Sequence, residues 1–370
     1  MDIIQRNFLR LLRVGAFGEE EQIEPMSAWK WRRLFQYALV HHVSALIYDG
    51  IQKCKDQFFM SLPDNLEEEW CRSTCELEKK YEEMQPSLVE LYTVFSQQQL
   101  RPILIKGQRI ASLYNRPDHR LTKNVEIFFP FKTQGKKADA WASEHGTHLN
   151  NADKNALIYE WNGLSVEHHH RIHRLTNQLL NQKMQNIVEE ELRTSHPTYI
   201  TINGIRVEVC SNTLELLLIF MRIAHHILNN GVSMKHLVDM GIFLRKAGDK
   251  VDFIKLQEWI SQLHITKIAA IIGSFLVQLF HFSPEEIPFM PEKKDVDIDG
   301  LLREMFTLQN QQQSTDWYFQ QGKDIFVHST NSSAMMWHMQ HSAKYAKFYP
   351  AESITNFFTS FVHSLSHIEE

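Results

Sequence analysis

Between Ile103 and Phe129 the chain reads ILIKGQRIASLYNRPDHRLTKNVEIFF, a stretch dense in residue types that handle phosphate and divalent cations. A short apolar run ends in Lys106-Gly107. Glycine at the opening of a helix lets a ligand phosphate approach the backbone closely. The helix N-terminus would add free N–H groups and a favourable dipole. Lys106, Arg109, Arg116 and Arg120 place positive charge in the same neighbourhood. Asn124 and Glu126 are two apart in a strand pattern, so their side chains share one face. Val125 and Ile127 take the other face, toward a core. A later strand-like run carries Glu167, with Val166 and His168 on its opposite face. Three oxygen-bearing side chains on adjacent strands can hold Mg²⁺, which favours oxygen ligands and substrate phosphates.

The elements that position these residues are legible in outline. The first hundred residues read as helices. Ser27 is a candidate N-cap for AWKWRRLFQYALV. A second helix is expected over Val43 to Lys53, and a long one over Asn65 to Gln98 with a kink at Pro86. RPILIKG has the character of a buried strand, QRIASLYN of a helix, and Asn124 to Pro130 of a second strand. A polar helix near Gly135 to His145 follows. Ala156–Trp161 and Leu164–His170 flank Asn162-Gly163, and Ile200 to Cys210 contains Asn203-Gly204. Asn-Gly between two β-patterned runs is a strong hairpin signal. From Ser211 the pattern is helical again, with Asn212 and Glu215 spaced as a capping box. Helices are expected near 233–248, 253–263 and 265–281, a further helix start at Ser283-Pro284, an exposed connector over Lys293 to Asp299, and helices to Glu370. The predicted class is α+β: a small mixed sheet with helices, flanked by helical regions. The expected division is 1–98 helical, 99–210 α/β core and 211–370 helical.

Leu104-Ile105-Lys106-Gly107, Leu113-Tyr114, Arg120, Asn124-Val125-Glu126 and Val166-Glu167-His168 occur in this order, followed by His225-His226, Gly231 and Val238-Asp239. Order and spacing resemble the uncharacterised bacterial branch of the polymerase-beta-like nucleotidyltransferase superfamily. Trp31 through Ala38, His41-His42 and Leu46-Ile47-Tyr48 fit the same pattern, so the likeness spans residues 28–285. The resemblance implies Mg²⁺-dependent transfer of a nucleoside monophosphate from a nucleoside triphosphate to an acceptor hydroxyl, on a small molecule or a protein. Under it, Asn124 and Glu126 stand where the metal-binding pair belongs. Glu167 stands where the third carboxylate, which aids deprotonation of the acceptor, belongs. Lys106, Gly107 and Arg120 would lie near the triphosphate. The sequence departs from the family pattern at Asn124, whose amide lends an oxygen but no charge, with Lys123 beside it. Two readings follow: a working transferase, or a non-catalytic binding or scaffold module on the same fold.

The histidines offer a competing chemistry. His168-His169-His170 with His173 suggests a metal, and a His-based metallohydrolase is the third reading. Strand alternation, however, puts His168 and His170 on one face and Glu167 and His169 on the other. Closed zinc sites need four converging ligands, which this spacing does not supply, and HEXXH is absent. His225-His226 and His338/His341 are expected as packed or half-exposed helix residues. Asp239, in apolar surroundings, either pairs with a base in the helical domain or caps a helix.

Composition narrows the field. Of 370 residues, 43% are hydrophobic and 22% charged, an ordinary globular balance that suggests two or three domains. The net charge of −5 argues against a surface that attracts nucleic acid throughout. Cys54, Cys71, Cys75 and Cys210 are too sparse for a disulfide framework and form no CxxC pair. Arg6, Arg10 and Arg13 break any signal-peptide core. The apolar run Ile268–Phe280 is too short to cross a bilayer. The expectation is a soluble cytoplasmic protein with reduced thiols.

Overall fold

The structure is a computed structural model, and it describes residues 1–150, 156–229, 231–290, 298–307, 346 and 348–355. Four helices come first: α1 (Ile3–Phe17), α2 (Ala28–Val40), α3 (Ser44–Cys54) and α4 (Asp64–Gln97). Asp2 caps α1 in a box with Gln5, and Gly18 ends it in the left-handed region. Ser27 does stand at the N-cap of α2, although its side chain makes no capping hydrogen bond. Pro86 lies inside α4, which continues through it as one helix.

The middle of the chain builds the sheet. Its elements are β1 (Ile103–Ile105), α5 (Gly107–Ala111), a 3₁₀ turn at Pro117–His119, β2 (Val125–Phe128), α6 (Lys132–His145), β3 (Thr147–Asn150), β4 (Ala156–Trp161), β5 (Leu164–His169), α7 (Gln178–Thr194), β6 (Thr198–Ile202) and β7 (Ile205–Val209). The strands form one seven-stranded sheet in the order β3-β4-β5-β2-β1-β7-β6. Both Asn-Gly turns close hairpins, β4–β5 and β6–β7. Each has positive φ at both central residues, 47° and 74° at Asn162-Gly163 and 45° and 81° at Asn203-Gly204. That conformation matches the twist of the flanking strands and is why this dipeptide occurs there. β2 pairs parallel with β5, and β1 pairs antiparallel with β2 and parallel with β7. The expectation of a mixed α+β fold with flanking helices holds.

Helices α8 (Asn212–Asn229), α9 (Met234–Ala247), α10 (Phe253–Gln262), α11 (Thr266–Phe280) and α12 (Asp299–Met305) follow. No helix among the described residues is long and apolar enough to cross a membrane. Asn212 is the first residue of α8 and does not cap it. The Ser211 hydroxyl accepts from the Leu214 N–H instead, and the Asn212 amide oxygen accepts from Arg109. The helix expected over Gln108 to Asn115 is only α5, five residues long. Ser283-Pro284 opens a 3₁₀ turn, Pro284–Glu286, with a capping box. His338, His341, residues 293–297 of the expected connector and most of the expected C-terminal helices lie outside the described residues.

Alternation along the strands sorts two cores. Leu104, Val125, Ile127 and Val166 pack with Leu88, Leu91 and Phe95 of α4 and with Trp141 of α6 on one side of the sheet. Ile103 and Ile105 point the other way, into a large core built by α1–α3 together with α8, α9 and α11. Glu126 and Glu167, next to Val125 and Val166, therefore face the side covered by α8 and α9.

Candidate functional site

β2 and β5 lie side by side with Glu126 directly opposite Glu167. The sequence expectation that residues 124, 126 and 167 share one face of adjacent strands matches this register. Asn124, just before β2, donates its amide N–H to Glu167 Oε1. His169, two residues beyond Glu167, brings its Nε2 to 3.0 Å from Glu126 Oε2 and 3.2 Å from Glu167 Oε2. Carboxylate oxygens only accept, so Nε2 carries the proton that bridges them. Lys106, at the end of β1, places its ammonium on Glu126 Oε2 and 3.4 Å from His169 Nε2. Burial pushes the Glu126 carboxyl up, but Lys106 and His169 outweigh it and hold the group well below the usual carboxylate range.

The Lys106 backbone is unusual. Its φ of 56° and ψ of −118° belong to a turn position that glycine fills most easily. A side chain there costs on the order of 1–3 kcal/mol. Gly107 next to it has an ordinary φ, and close packing explains its lack of a side chain. A Cβ at Gly107 would stand 2.9 Å from Thr122 Cγ2. With only five residues, α5 provides little of the dipole expected at this turn.

Arg120 lies behind the turn. It is 3% exposed and forms a two-pronged pair with Asp239 of α9, Nε to Oδ1 at 2.8 Å and Nη2 to Oδ2 at 2.7 Å. Its Nη1 donates to the Gly107 carbonyl oxygen at 3.0 Å and to Thr122 Oγ1 at 3.0 Å. Tyr114 OH donates to Asp239 Oδ1 at 2.7 Å. Burial would raise the Asp239 carboxyl, but Arg120 holds it below its ordinary value. Asp239 does pair with a base, but the base is Arg120 of the α/β core and not one in the helical domain. Arg120 therefore fixes the turn to α9.

The far wall carries cations that sequence reasoning missed. Arg222 of α8 is close enough for its charge to pull down Glu126 and the half-buried His173, and among the described residues its buried Nη2 has no acceptor. Lys235 of α9 is half-buried, and among the described residues no carboxylate pairs with its ammonium. Burial, followed by repulsion from Arg120, pushes it down to about 7. The rings of His226 and His236 stack beside it, 4.0 Å between centroids. No motif could have found these residues, because they come from helices about a hundred residues beyond β2.

The rest of the histidine run divides as the alternation predicted. His168 is buried against Phe95 and Phe129 on the opposite face and shares a 2.9 Å hydrogen bond with Tyr159 OH. His170 pairs with Asp139 at 2.9 Å. The run therefore does not converge on one metal, and only His169 joins the carboxylates. A second cluster unforeseen from sequence holds buried His119 between Asp49 and Glu78, each at 2.8 Å. One cavity of about 540 Å³ opens at Gly18–Gln22 and another of about 200 Å³ at His42, His119 and Leu121; neither is lined by Glu126 or Glu167.

A family model described as an uncharacterised nucleotidyltransferase matches residues 27–281. The chain belongs to this nucleotidyltransferase family. No curated protein matches it. Among solved structures it is similar to an antigenic nucleotidyltransferase-like protein from Paracoccidioides brasiliensis, at 14% identity over 56% of this chain and 94% of that one, with a TM-score of 0.38.

Nucleotidyltransferase chemistry raises the question of Mg²⁺ at residues 124, 126 and 167. The donors present are two carboxylates, one imidazole nitrogen, and an amide that turns its nitrogen, not its oxygen, toward Glu167. The Lys106 ammonium already sits on Glu126. Mg²⁺ demands near-octahedral oxygen coordination. These residues do not fit the pair of magnesium ions that the resemblance implies. What remains is a half-buried acidic cluster neutralised by Lys106 and His169, with Arg222 close enough to act on it by charge.

Proposed function

We propose that this nucleotidyltransferase-family protein binds a nucleoside triphosphate in the cleft between the sheet and helices α8 and α9, without transferring its nucleotidyl group. The observation that carries the reading is the charge placement. Among the described residues, Arg222 Nη2 is a buried donor with no acceptor, and Lys235 has no carboxylate partner. A buried guanidinium nitrogen without an acceptor is a donor that an anionic ligand would satisfy, and Lys235 would add charge to it. A triphosphate supplies several acceptor oxygens and the matching charge. Loss of transfer is supported by Asn124 at the first position of the acidic pair and by Lys106 on Glu126. Each takes away negative charge that a metal-dependent reaction needs.

Titration calorimetry of the full chain with ATP, CTP, GTP and UTP, with and without Mg²⁺, tests the binding. Micromolar affinity for at least one is expected, and no binding of any would end the reading. Incubation with α-labelled nucleotide tests the other half. Label appearing on a small molecule or a protein would restore the Mg²⁺-dependent transferase with an acceptor hydroxyl.

A further inference from the structure

We infer that Lys106 is a tethered counter-cation: its ammonium takes the place of a divalent metal ion at the Glu126–Glu167–His169 cluster, which becomes a metal site only when Lys106 is removed. This deepens the reading above by naming what replaces the metal.

Three observations converge on it. The ligand atoms of Glu126, Glu167 and His169 all lie within 4.8 Å of one another, a spacing that one ion could bridge. The Lys106 ammonium reaches into that cluster, bonded to Glu126 Oε2 and 3.4 Å from His169 Nε2. The two remaining contacts to Glu167 are also filled, by the Asn124 amide and His169. The backbone supplies the third observation. The chain carries a lysine at φ 56°, ψ −118°, where glycine would be unstrained, and strain of this kind persists where the surroundings over-determine it. Here the ammonium on Glu126 is what the strained turn delivers.

A divalent ion entering beside Lys106 would meet a positive charge a few ångströms away and would have to displace it from Glu126. Without that charge, two carboxylate oxygens and an imidazole nitrogen remain. That donor set suits Mn²⁺ or Zn²⁺ better than Mg²⁺.

The test uses Mn²⁺ alone on the full chain, with free Mn²⁺ followed by electron paramagnetic resonance and no nucleotide present. It therefore reads the metal site independently of nucleotide binding. The unmodified protein is expected to leave Mn²⁺ free. Lys106→Met should gain one Mn²⁺ with affinity roughly tenfold or more above the unmodified chain. The gain should vanish when Glu167→Gln is added. Lys106→Gly, which also relieves the backbone, should gain the ion as well and covers the case in which the Met variant fails to fold. The proposal is overturned if the unmodified protein binds one Mn²⁺ as tightly as the variants, or if neither folded variant binds it. Mn²⁺ bound by the unmodified protein and lost in Glu126→Gln would overturn it without any Lys106 variant.

Discussion

Arg120 and Asp239, 119 residues apart, form a buried two-pronged ion pair that ties the turn behind Gly107 to helix α9. The same guanidinium donates to the Gly107 carbonyl oxygen, so the floor of the cleft and its helical wall are held by one side chain. Tyr114 completes the arrangement through its hydrogen bond to Asp239.

Removing one partner should therefore be costly. Arg120→Met leaves Asp239 buried without its counter-charge, and a loss of about 3–5 kcal/mol is expected. Asp239→Asn should cost less, because the amide oxygen still accepts from the guanidinium. Urea unfolding of the two variants checks the order. Equal midpoints for Arg120→Met and the unmodified chain would contradict this role.

Gly107 is held to glycine by contact. Gly107→Ala places a methyl group 2.9 Å from Thr122 Cγ2, and a destabilisation of about 1–3 kcal/mol is expected. Thr122→Ser removes that methyl while keeping the oxygen that accepts from Arg120. The double variant should recover a large part of the loss in thermal melting. No recovery would show that the cost arises elsewhere.

The parts of the fold that announced themselves did so through local chemistry. Asn162-Gly163 and Asn203-Gly204 marked their hairpins because only a few residue types accept two positive φ angles. β3 was silent, since all its residues are exposed and it has no buried face to pattern. Helix α7 carries its stripe of Leu180, Met184, Ile187 and Val188 among Gln, Asn and Glu, which mask the period. At the site, alternation placed Glu126, Asn124 and Glu167, and it put His169 on the same face as Glu167. It placed β2 and β5 side by side but did not reveal their parallel register, because α6, β3 and β4 separate them in the chain. Arg222 and Lys235 depend on how helices pack over the sheet, which no local spacing records.

His119 offers a pH test outside the cleft. Burial lowers its pKa, but its hydrogen bonds to Asp49 and Glu78 outweigh that and leave it raised. A raised histidine contributes stability that is complete below its unfolded pKa of about 6.5 and is lost as pH rises through the higher folded value. Urea midpoints measured from pH 6 to 9 should therefore fall more steeply for the unmodified chain than for His119→Gln. Parallel profiles would remove the assignment.

Lys235 gives the opposite sign. Its folded value of about 7 lies below the ordinary 10.5, so between these pH values the unfolded chain holds the proton more tightly. Its contribution to stability then improves as pH rises across that window. Binding of a polyanion should return the proton. Calorimetry of ATP binding at pH 8.5, in two buffers of different ionisation enthalpy, should show uptake of up to about one proton. Lys235→Met should show little. The same uptake in both proteins would place the proton elsewhere.

The account rests most heavily on a cleft whose own cations, without a divalent ion, receive a triphosphate. Titrating ATP into the full chain in the presence of a chelator addresses this directly. Binding should persist when divalent ions are removed and should weaken by roughly tenfold or more in Arg222→Met, consistent with loss of a charge-assisted contact. ATP that binds only with Mg²⁺ present, at an affinity indifferent to Arg222, would contradict it.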